Sequence, residues 1–84
     1  MYEVYILECA DGTLYTGIST DPERRLREHN RGRGAKYTRG RGPSRLCYRE
    51  PQPDKGTALR RELAIKALTR QEKLRLIASF HPFS

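Results

Sequence analysis

The strongest constraint on the fold is a pair of β-prone segments separated by a short turn near the start of the chain. Residues 2–9 are dense in β-branched and aromatic side chains, and residues 13–18 resume this character after Ala10-Asp11-Gly12. Two such segments joined by a short loop that contains glycine predict a β-hairpin. The hairpin is therefore the first predicted element, and it carries several tyrosines whose neighbours depend on how the strands pair.

The length of the hairpin loop decides which side chains are neighbours, because side chains alternate between the two faces of a strand. A two-residue Asp11-Gly12 turn puts Tyr5 and Tyr15 on opposite faces. A three-residue loop with Gly12 in a left-handed conformation pairs Tyr5 with Gly17 and puts both tyrosines on one face. In this second register, Gly17 leaves an open spot beside Tyr5 where a ligand can approach.

The middle of the chain predicts a helix and a third strand. The segment Thr20-Asp21-Pro22-Glu23 has a capping-box pattern, with Glu23 three residues after Thr20, and predicts a helix that ends near Asn30. Residues 45–50 are again β-prone and predict a strand. This strand is expected to end at Pro51-Gln52-Pro53, because proline cannot donate a ladder hydrogen bond.

The last third of the chain predicts two helices. Residues 58–68 have the apolar spacing of a helix capped by Thr57, and a second capping-box pattern at 69–72 begins another. The order β-β-α-β-α-α predicts an α/β (α+β) fold, with a small, mainly antiparallel three-stranded sheet flanked by helices. A chain of 84 residues has room for one core, so we expect a single domain with its core over about 2–68 and a C-terminal helix over about 70–80.

The chain is strongly basic. Its 17 Lys and Arg against 10 Asp and Glu give a net charge of +7, and residues 24–45 include nine basic residues and one acidic residue, Glu28. The nine are Arg24, Arg25, Arg27, Arg31, Arg33, Lys36, Arg39, Arg41 and Arg45. This density matches the footprint of phosphate-backbone binding, with Tyr37 able to stack on a base, although a merely solvated surface has a similar composition. We favour nucleic acid, because arginine outnumbers lysine and suits bidentate phosphate contacts.

The apolar segments and the cysteines indicate the compartment. No apolar stretch approaches the roughly 20 residues of a membrane-spanning helix, and the first residues lack a signal-peptide pattern, so we expect a cytoplasmic protein with no membrane partner. Cys9 and Cys47 are far apart in the sequence and predict two free thiols in strands rather than a disulfide. Together with His29 and His81 they show no zinc-site spacing, and we do not predict zinc.

Five residues form a candidate catalytic set, although each alone has an ordinary explanation. Tyr5 and Tyr15 are ten residues apart on the hairpin, and strands favour tyrosine in any case. Arg25 and His29 are four apart and share one face of the predicted helix, of which His29 is near the end. Glu62 falls between apolar positions of its helix, and its ordinary role is a weak ion pair with the lysine one turn later.

Taken together, these residues resemble the GIY-YIG nuclease family. Glu3-Val4-Tyr5 stands where the GIY triplet is expected, and Tyr15-Thr16-Gly17 stands for the YIG triplet at the family's usual separation. Arg25 matches the catalytic arginine of the family, His29 matches a site residue one helical turn later, and Glu62 matches the metal-binding glutamate. The similarity covers nearly the whole chain and is greatest with small stand-alone members of the family.

The resemblance implies a metal-dependent nuclease that hydrolyses phosphodiester bonds in DNA or RNA. Tyr5, with Tyr15 beside it, would act as general base on water, and nearby cations would have to lower its pKa from the ordinary value of about 10. Glu62 would hold one Mg²⁺ or Mn²⁺, Arg25 would neutralise the scissile phosphate, and His29 would orient Tyr5 or bind phosphate. The residues expected to contact nucleic acid are Gly17, Arg24, Arg33, Lys36, Tyr37, Arg39 and Arg41.

Two other classes of function remain open at the level of the sequence. One is a non-catalytic nucleic-acid-binding module that uses the Arg/Gly-rich segment 31–43, and the other is a protein-interaction adaptor, against which the basic charge argues. A catalyst would lose turnover with Glu62→Ala while keeping salt-dependent binding, whereas a binding module would depend on Arg39 and Arg41. A domain of this size is also expected to use a protein partner for targeting.

Overall fold

The computed structural model describes residues 1–31 and 43–80, and within these ranges it contains three strands and three helices. They are β1 (Tyr2–Glu8), β2 (Leu14–Ser19), α1 (Pro22–Asn30), β3 (Arg45–Gln52), α2 (Lys55–Lys66) and α3 (Arg70–Ala78). The sheet is antiparallel with strand order β2-β1-β3, so β1 is its central strand. The predicted element order and fold class are confirmed.

The hairpin between β1 and β2 has the three-residue loop. The Cys9 amide donates a hydrogen bond to the Thr13 carbonyl at 2.9 Å, and the Gly12 amide donates to the Cys9 carbonyl at 2.9 Å. Gly12 has φ +85°, the left-handed conformation that closes a loop of this kind and that glycine adopts without a steric cost. Tyr5 consequently pairs with Gly17, so that the odd-numbered side chains of both strands share one face.

The third strand is longer than the sequence predicted. It continues through Pro51 to Gln52, and Pro51 pairs with Glu3 of β1. The expectation that the prolines stop the strand at residue 50 is therefore wrong. Because β3 is an edge strand of the described sheet, a proline there need not remove a hydrogen bond from the ladder.

Two of the helices begin at an aspartate rather than at the predicted threonine. Asp21, not Thr20, caps α1 by accepting a hydrogen bond from the Arg24 amide at 3.2 Å. Asp54 caps α2 by accepting from the Thr57 amide at 2.8 Å, so this helix begins before Thr57 and also ends earlier than predicted. In both places an aspartate lies near a threonine, and a carboxylate both caps the amides and interacts favourably with the helix dipole.

The predicted capping box at the start of α3 is confirmed. The Thr69 hydroxyl accepts a hydrogen bond from the Glu72 amide at 3.2 Å, and the Glu72 carboxylate accepts from the Thr69 amide at 2.9 Å. The two bonds satisfy donors that a helix N-terminus otherwise leaves without partners. They also separate α3 from α2, as the sequence pattern indicated.

The two faces of the sheet are covered by different helices. On one face, Val4, Ile6 and Tyr48 form the apolar core with Ala58 and Ile65 of α2. Side chains from the end of the described chain pack onto this core, and they are Leu76, Ile77 and Phe80. On the other face, α1 lies across all three strands. The odd-numbered residues of β1 therefore meet α1, and the even-numbered ones meet the core.

The structure bears on three further expectations from the sequence, which concern the cysteines, membrane-spanning helices and metal-binding clusters. Cys9 and Cys47 are both free thiols, as predicted, and Cys9 directly follows β1. No helix within residues 1–31 and 43–80 is long and apolar enough to cross a membrane. The same ranges contain no group of three or more His, Cys, Asp or Glu side chains placed to hold a metal ion together.

Candidate active site

Tyr5 and Tyr15 lie side by side on the sheet face that α1 covers. Their ring centroids are 6.4 Å apart, and Tyr5 is almost fully buried. A Cβ atom added at Gly17 would lie 2.8 Å from Oη of Tyr5 and 3.2 Å from Cε2 of Tyr15. The space above Gly17 is thus filled by the Tyr5 hydroxyl, and the expectation of an open spot for a ligand is wrong. A glycine is needed here because only a residue without a side chain lets the tyrosine cross the edge strand.

The helix α1 brings Arg25 and His29 to the two tyrosines. His29 is buried, and its ring centroid is 5.2 Å from that of Tyr15. The Arg25 guanidinium interacts with the Tyr5 hydroxyl as a hydrogen-bond donor, and it donates to Glu28 at 2.8 Å. Residues one helical turn apart share a face, so Arg25 and His29 both point at the sheet and reach different tyrosines.

Burial and Arg25 act on the pKa of Tyr5 in opposite directions. Burial raises the pKa of Tyr5 above its ordinary value, and this outweighs the hydrogen bond and positive charge of Arg25, which lower it. Electrostatic interactions with Tyr15 and with the carboxylate of Glu62 also raise the pKa of Tyr5. Arg25 acts in the expected direction, but the prediction that nearby cations lower the pKa is not met by Arg25 alone, because desolvation disfavours the phenolate.

His29 is held in its neutral form. Burial and the positive charge of Arg25 lower the pKa of His29, and the nearby Glu28 only partly opposes them. A histidine whose pKa lies below 6.5 is uncharged at neutral pH. Its ring contact with Tyr15 suits it to fix the Tyr15 ring.

Glu62 approaches the tyrosines from α2, on the other side of the sheet. Its side chain is only 16% exposed, and Oε2 lies 3.5 Å from Nζ of Lys66. The ordinary i, i+4 pair is therefore present. Glu62 is also close enough to Tyr5 for its charge to raise the pKa of the tyrosine. This largely buried carboxylate offers oxygen ligands, which fit Mg²⁺ or Mn²⁺.

Two ionic networks that the sequence did not reveal hold the site-bearing helices in place. Arg49, which pairs with Tyr5 in the sheet, donates two hydrogen bonds of 2.8 Å to Glu3 and one of 3.0 Å to Glu23 in the first turn of α1. The interactions with these carboxylates raise the pKa of Arg49. The network joins β3, β1 and α1, and no local motif indicates it because its members are distant in the sequence.

The second network joins α2 to β3. Arg61 donates to Glu50 at 2.8 Å, and the Tyr48 hydroxyl donates to the same carboxylate at 2.5 Å. Glu62 follows Arg61 directly, so this contact fixes the turn of α2 that carries the candidate metal ligand. The sequence did not indicate the pair of Glu50 and Arg61 because the two residues are 11 positions apart and lie on different elements.

The predicted nucleic-acid contacts are only partly described. Gly17 is buried beneath Tyr5 and offers no surface, whereas Arg24 is exposed, with Nε 3.9 Å from a Glu28 oxygen. The other predicted contacts lie outside the described residues, and they are Arg33, Lys36, Tyr37, Arg39 and Arg41.

A family model matches most of the chain. Residues 1–75 match the GIY-YIG catalytic domain. The chain belongs to the GIY-YIG family, which is a nuclease family whose substrates are nucleic acids and whose members generally depend on a divalent metal.

Relatives of similar length lie in distant organisms. The chain is 55% identical over 73 residues to a UPF0213 protein of Halobacterium salinarum, covering 87% of this chain and 95% of that one. It is also 55% identical over 74 residues to a UPF0213 protein of Staphylococcus aureus, covering 88% and 90%. These names state no activity.

Two solution NMR structures share the fold. The UPF0213 protein of Bacillus halodurans is 48% identical, with a TM-score of 0.62 and coverage of 99% of this chain and 89% of that one. A protein from E. faecalis is 40% identical, with a TM-score of 0.61 and coverage of 99% and 92%. The predicted family and fold are therefore both confirmed.

Proposed function

We propose that this protein is an endonuclease that hydrolyses phosphodiester bonds in DNA or RNA with one Mg²⁺ or Mn²⁺. The observation that carries the proposal is that Tyr15 and Arg25 lie at Tyr5 on one face of the sheet, while the charge of the largely buried Glu62 reaches Tyr5 from α2. These residues belong to four separate elements, and packing alone does not require them to meet. Family membership gives the reaction class, and the geometry supports the assignment of roles.

Tyr5 is the proposed general base for the attacking water. Its hydroxyl is held by Arg25, which stabilises the phenolate in the same way that it would stabilise charge on the scissile phosphate. Burial raises the pKa of Tyr5, so Arg25 alone does not favour the deprotonated form that a base requires. Further positive charge near the hydroxyl, such as a divalent ion held by Glu62, would lower this pKa. His29 contacts the ring of Tyr15, and Tyr15 lies beside Tyr5. Both residues therefore support the position of Tyr5.

Glu62 is the proposed metal ligand. One carboxylate is available to the ion, and water and phosphate oxygens would complete its coordination, as hard cations prefer. When bound, the ion supplies positive charge to the phosphoryl oxygens and to the leaving oxygen. Lys66 otherwise neutralises the carboxylate, so the metal has to compete with an ion pair and is expected to bind weakly without substrate.

The proposal is tested by cleavage of labelled DNA and RNA, including single strands, duplexes and flaps, with Mg²⁺ or Mn²⁺ and with a chelator control. Glu62→Gln keeps the volume of the side chain and removes its charge, so we expect a loss of cleavage of at least about 100-fold. Glu8→Gln is the matched control, because Glu8 pairs with Arg45 away from the tyrosines.

The outcomes separate catalysis from binding. Metal-dependent cleavage that Glu62→Gln abolishes and Glu8→Gln retains supports the proposal and identifies the substrate. Absence of cleavage with every substrate, combined with salt-sensitive binding by all three proteins, contradicts it and favours a non-catalytic binding module.

A further inference from the structure

A basic groove runs along the outer edge of β2, beside the candidate active site. One concavity of about 290 Å³ is lined by Leu14 and Tyr15 of β2 together with Lys66 and Lys73. A second, of about 180 Å³, shares Leu14 and Lys73 with the first and adds Arg70. The shared residues place the two concavities next to each other. These five residues define what we call the β2 groove.

The groove begins at the site and leads away from it. Tyr15 lines one end, and Lys66 at this end forms the ion pair with Glu62. At the far end Arg70 lies beside the hairpin turn, with a guanidinium nitrogen 4.0 Å from the position that a Cβ of Gly12 would occupy. The groove therefore connects the candidate metal ligand with the tip of the hairpin.

Two cations of the groove form no ion pair with a carboxylate of residues 1–31 and 43–80. Within these ranges Arg70 and Lys73 form no ion pair, whereas Arg45, Arg49 and Arg61 all do. The nearest acid in the sequence, Glu72, is engaged in capping α3. Cations placed side by side without counter-charges are suited to a ligand that carries regularly spaced negative charges.

We propose that the β2 groove binds the phosphodiester backbone of the nucleic acid on one side of the scissile bond. The inference rests on the proposed function, since it takes the site beside Tyr15 as the place of cleavage. Lys66 and Lys73 contact successive phosphates, and Arg70 contacts the backbone near the hairpin tip. Contacts from lysine and arginine to phosphate carry no base information, so this binding is independent of sequence.

The test compares two double variants that remove the same charge from different places. Arg70→Gln/Lys73→Gln removes two cations of the groove. Lys55→Gln/Arg60→Gln removes two exposed cations from the first half of α2 that do not line the groove. Binding of a labelled oligonucleotide, single-stranded and duplex, is measured in EDTA over a range of salt concentrations, so that cleavage does not contribute.

We expect the groove variant to lower the slope of log affinity against log salt by about 2, which is about one for each phosphate that the variant no longer binds. The control variant should change it by much less than one. Equal slopes for the two variants would overturn the proposal, because net charge alone would then explain binding. Tight binding to vesicles containing phosphatidylserine, with none to nucleic acid, would also overturn it. Circular dichroism of each variant confirms that the helices remain.

A second measurement locates the bound strand. Oligonucleotides are shortened step by step on either side of the cleavage position, and their affinities for wild-type protein and for the groove variant are compared. We expect wild type to lose affinity on shortening from one side and the groove variant to be insensitive to that side. If both proteins lose affinity equally from both sides, the groove does not hold the strand.

The two proposals fail in different ways. If salt slopes and truncation profiles are unchanged and cleavage still depends on Glu62, the proposed role of the groove is rejected and the proposed nuclease activity is retained. If the groove variant lowers the salt slope but no substrate is cleaved, the proposed nuclease activity is rejected. The assignment of the groove to one side of the scissile bond is then rejected with it.

Discussion

Neighbouring residues of β1 face opposite sides of the sheet, and the two sides bury different chemistry. Ile6 and Val4 are fully buried against aliphatic and aromatic side chains of α2 and β3. Tyr5, between them, is equally buried but carries a hydroxyl that interacts with Arg25 across the α1 face. One strand thus serves an apolar core on one side and a polar, charged site on the other.

The difference lies in how strictly each face specifies geometry. Apolar contact depends on area and volume and has no preferred direction, so the core face mainly supplies stability. The α1 face has to place a hydroxyl and a guanidinium within hydrogen-bonding distance, and an error of about 1 Å there costs function more than stability. Substitutions on the two faces should therefore separate stability from activity.

The largest effect on stability is expected from Ile6→Ala. It leaves a cavity in the core and should lower the free energy of unfolding by about 2–5 kcal/mol, much of what a small domain has. Tyr5→Phe keeps the ring and should cost only about 1 kcal/mol while removing the proposed base. Urea unfolding and cleavage rates measure both. Equal destabilisation by the two variants would show that the faces do not differ in this way.

A smaller, more local effect is expected from Gly17→Ala. The new methyl group would lie 2.8 Å from Oη and 2.9 Å from Cζ of Tyr5, so the ring has to move. We expect cleavage to fall about 100-fold and stability to fall by about 1–3 kcal/mol. In Gly56→Ala the nearest atom is 3.4 Å away, and this helical control should retain activity and gain up to about 1 kcal/mol. A Gly17→Ala protein as active as wild type would contradict the proposed role of Tyr5.

The next effect concerns the network that attaches α1. Arg49→Gln removes the ion pairs with Glu3 and Glu23 and should cost about 1–2 kcal/mol, a figure reduced for its partial exposure. Arg45→Gln breaks a more exposed pair with Glu8 and should cost less than about 1 kcal/mol. Chemical denaturation of both variants gives the comparison. If Arg49→Gln also lowers turnover while Arg45→Gln does not, the network positions the site.

The smallest expected effect is a dependence of stability on pH that arises from His29. Its pKa is lowered in the folded protein by burial and by Arg25, so below pH 6.5 the unfolded chain binds the proton more readily. The stability contributed by the neutral ring is complete above pH 6.5 and is lost as pH falls towards the lower folded-state value. Unfolding of wild type and of His29→Phe between pH 5 and 8 isolates this contribution. Parallel curves for the two proteins would contradict it.

Most of the secondary structure could be predicted because its signals are local. The hairpin loop Ala10-Asp11-Gly12, the capping box at Thr69 and the β-prone residues 45–50 each act within a few residues, and all three elements are present. The errors fall where two local signals compete, as with Asp54 and Thr57 at the start of α2. The end of β3 was also predicted wrongly, because proline interrupts a central strand but is tolerated in an edge strand, where Pro51 lies.

For the candidate site, the sequence indicated which residues take part, and the structure showed how they are arranged. The identities of Tyr5, Tyr15, Arg25, His29 and Glu62 came from their spacing in the sequence and from the resemblance that this spacing carries. Their mutual distances, and the balance of burial against charge at Tyr5, depend on how deeply α1 and the sheet bury the hydroxyl. That depth is not a property of any local segment, and for this reason the sequence could not indicate that burial of Tyr5 outweighs the effect of Arg25 on its pKa.

The sequence by itself determined the types of the elements, their order, the hairpin with two possible registers, and the family. These depend on backbone preferences and hydrophobic spacing, which act over a few residues. Only the tertiary structure decided that Arg49 ties α1 to the sheet, that Tyr5 fills the space over Gly17, and that cations of α3 line the edge of β2. These features join residues far apart in the chain, and desolvation and ion pairing act through space rather than along the sequence.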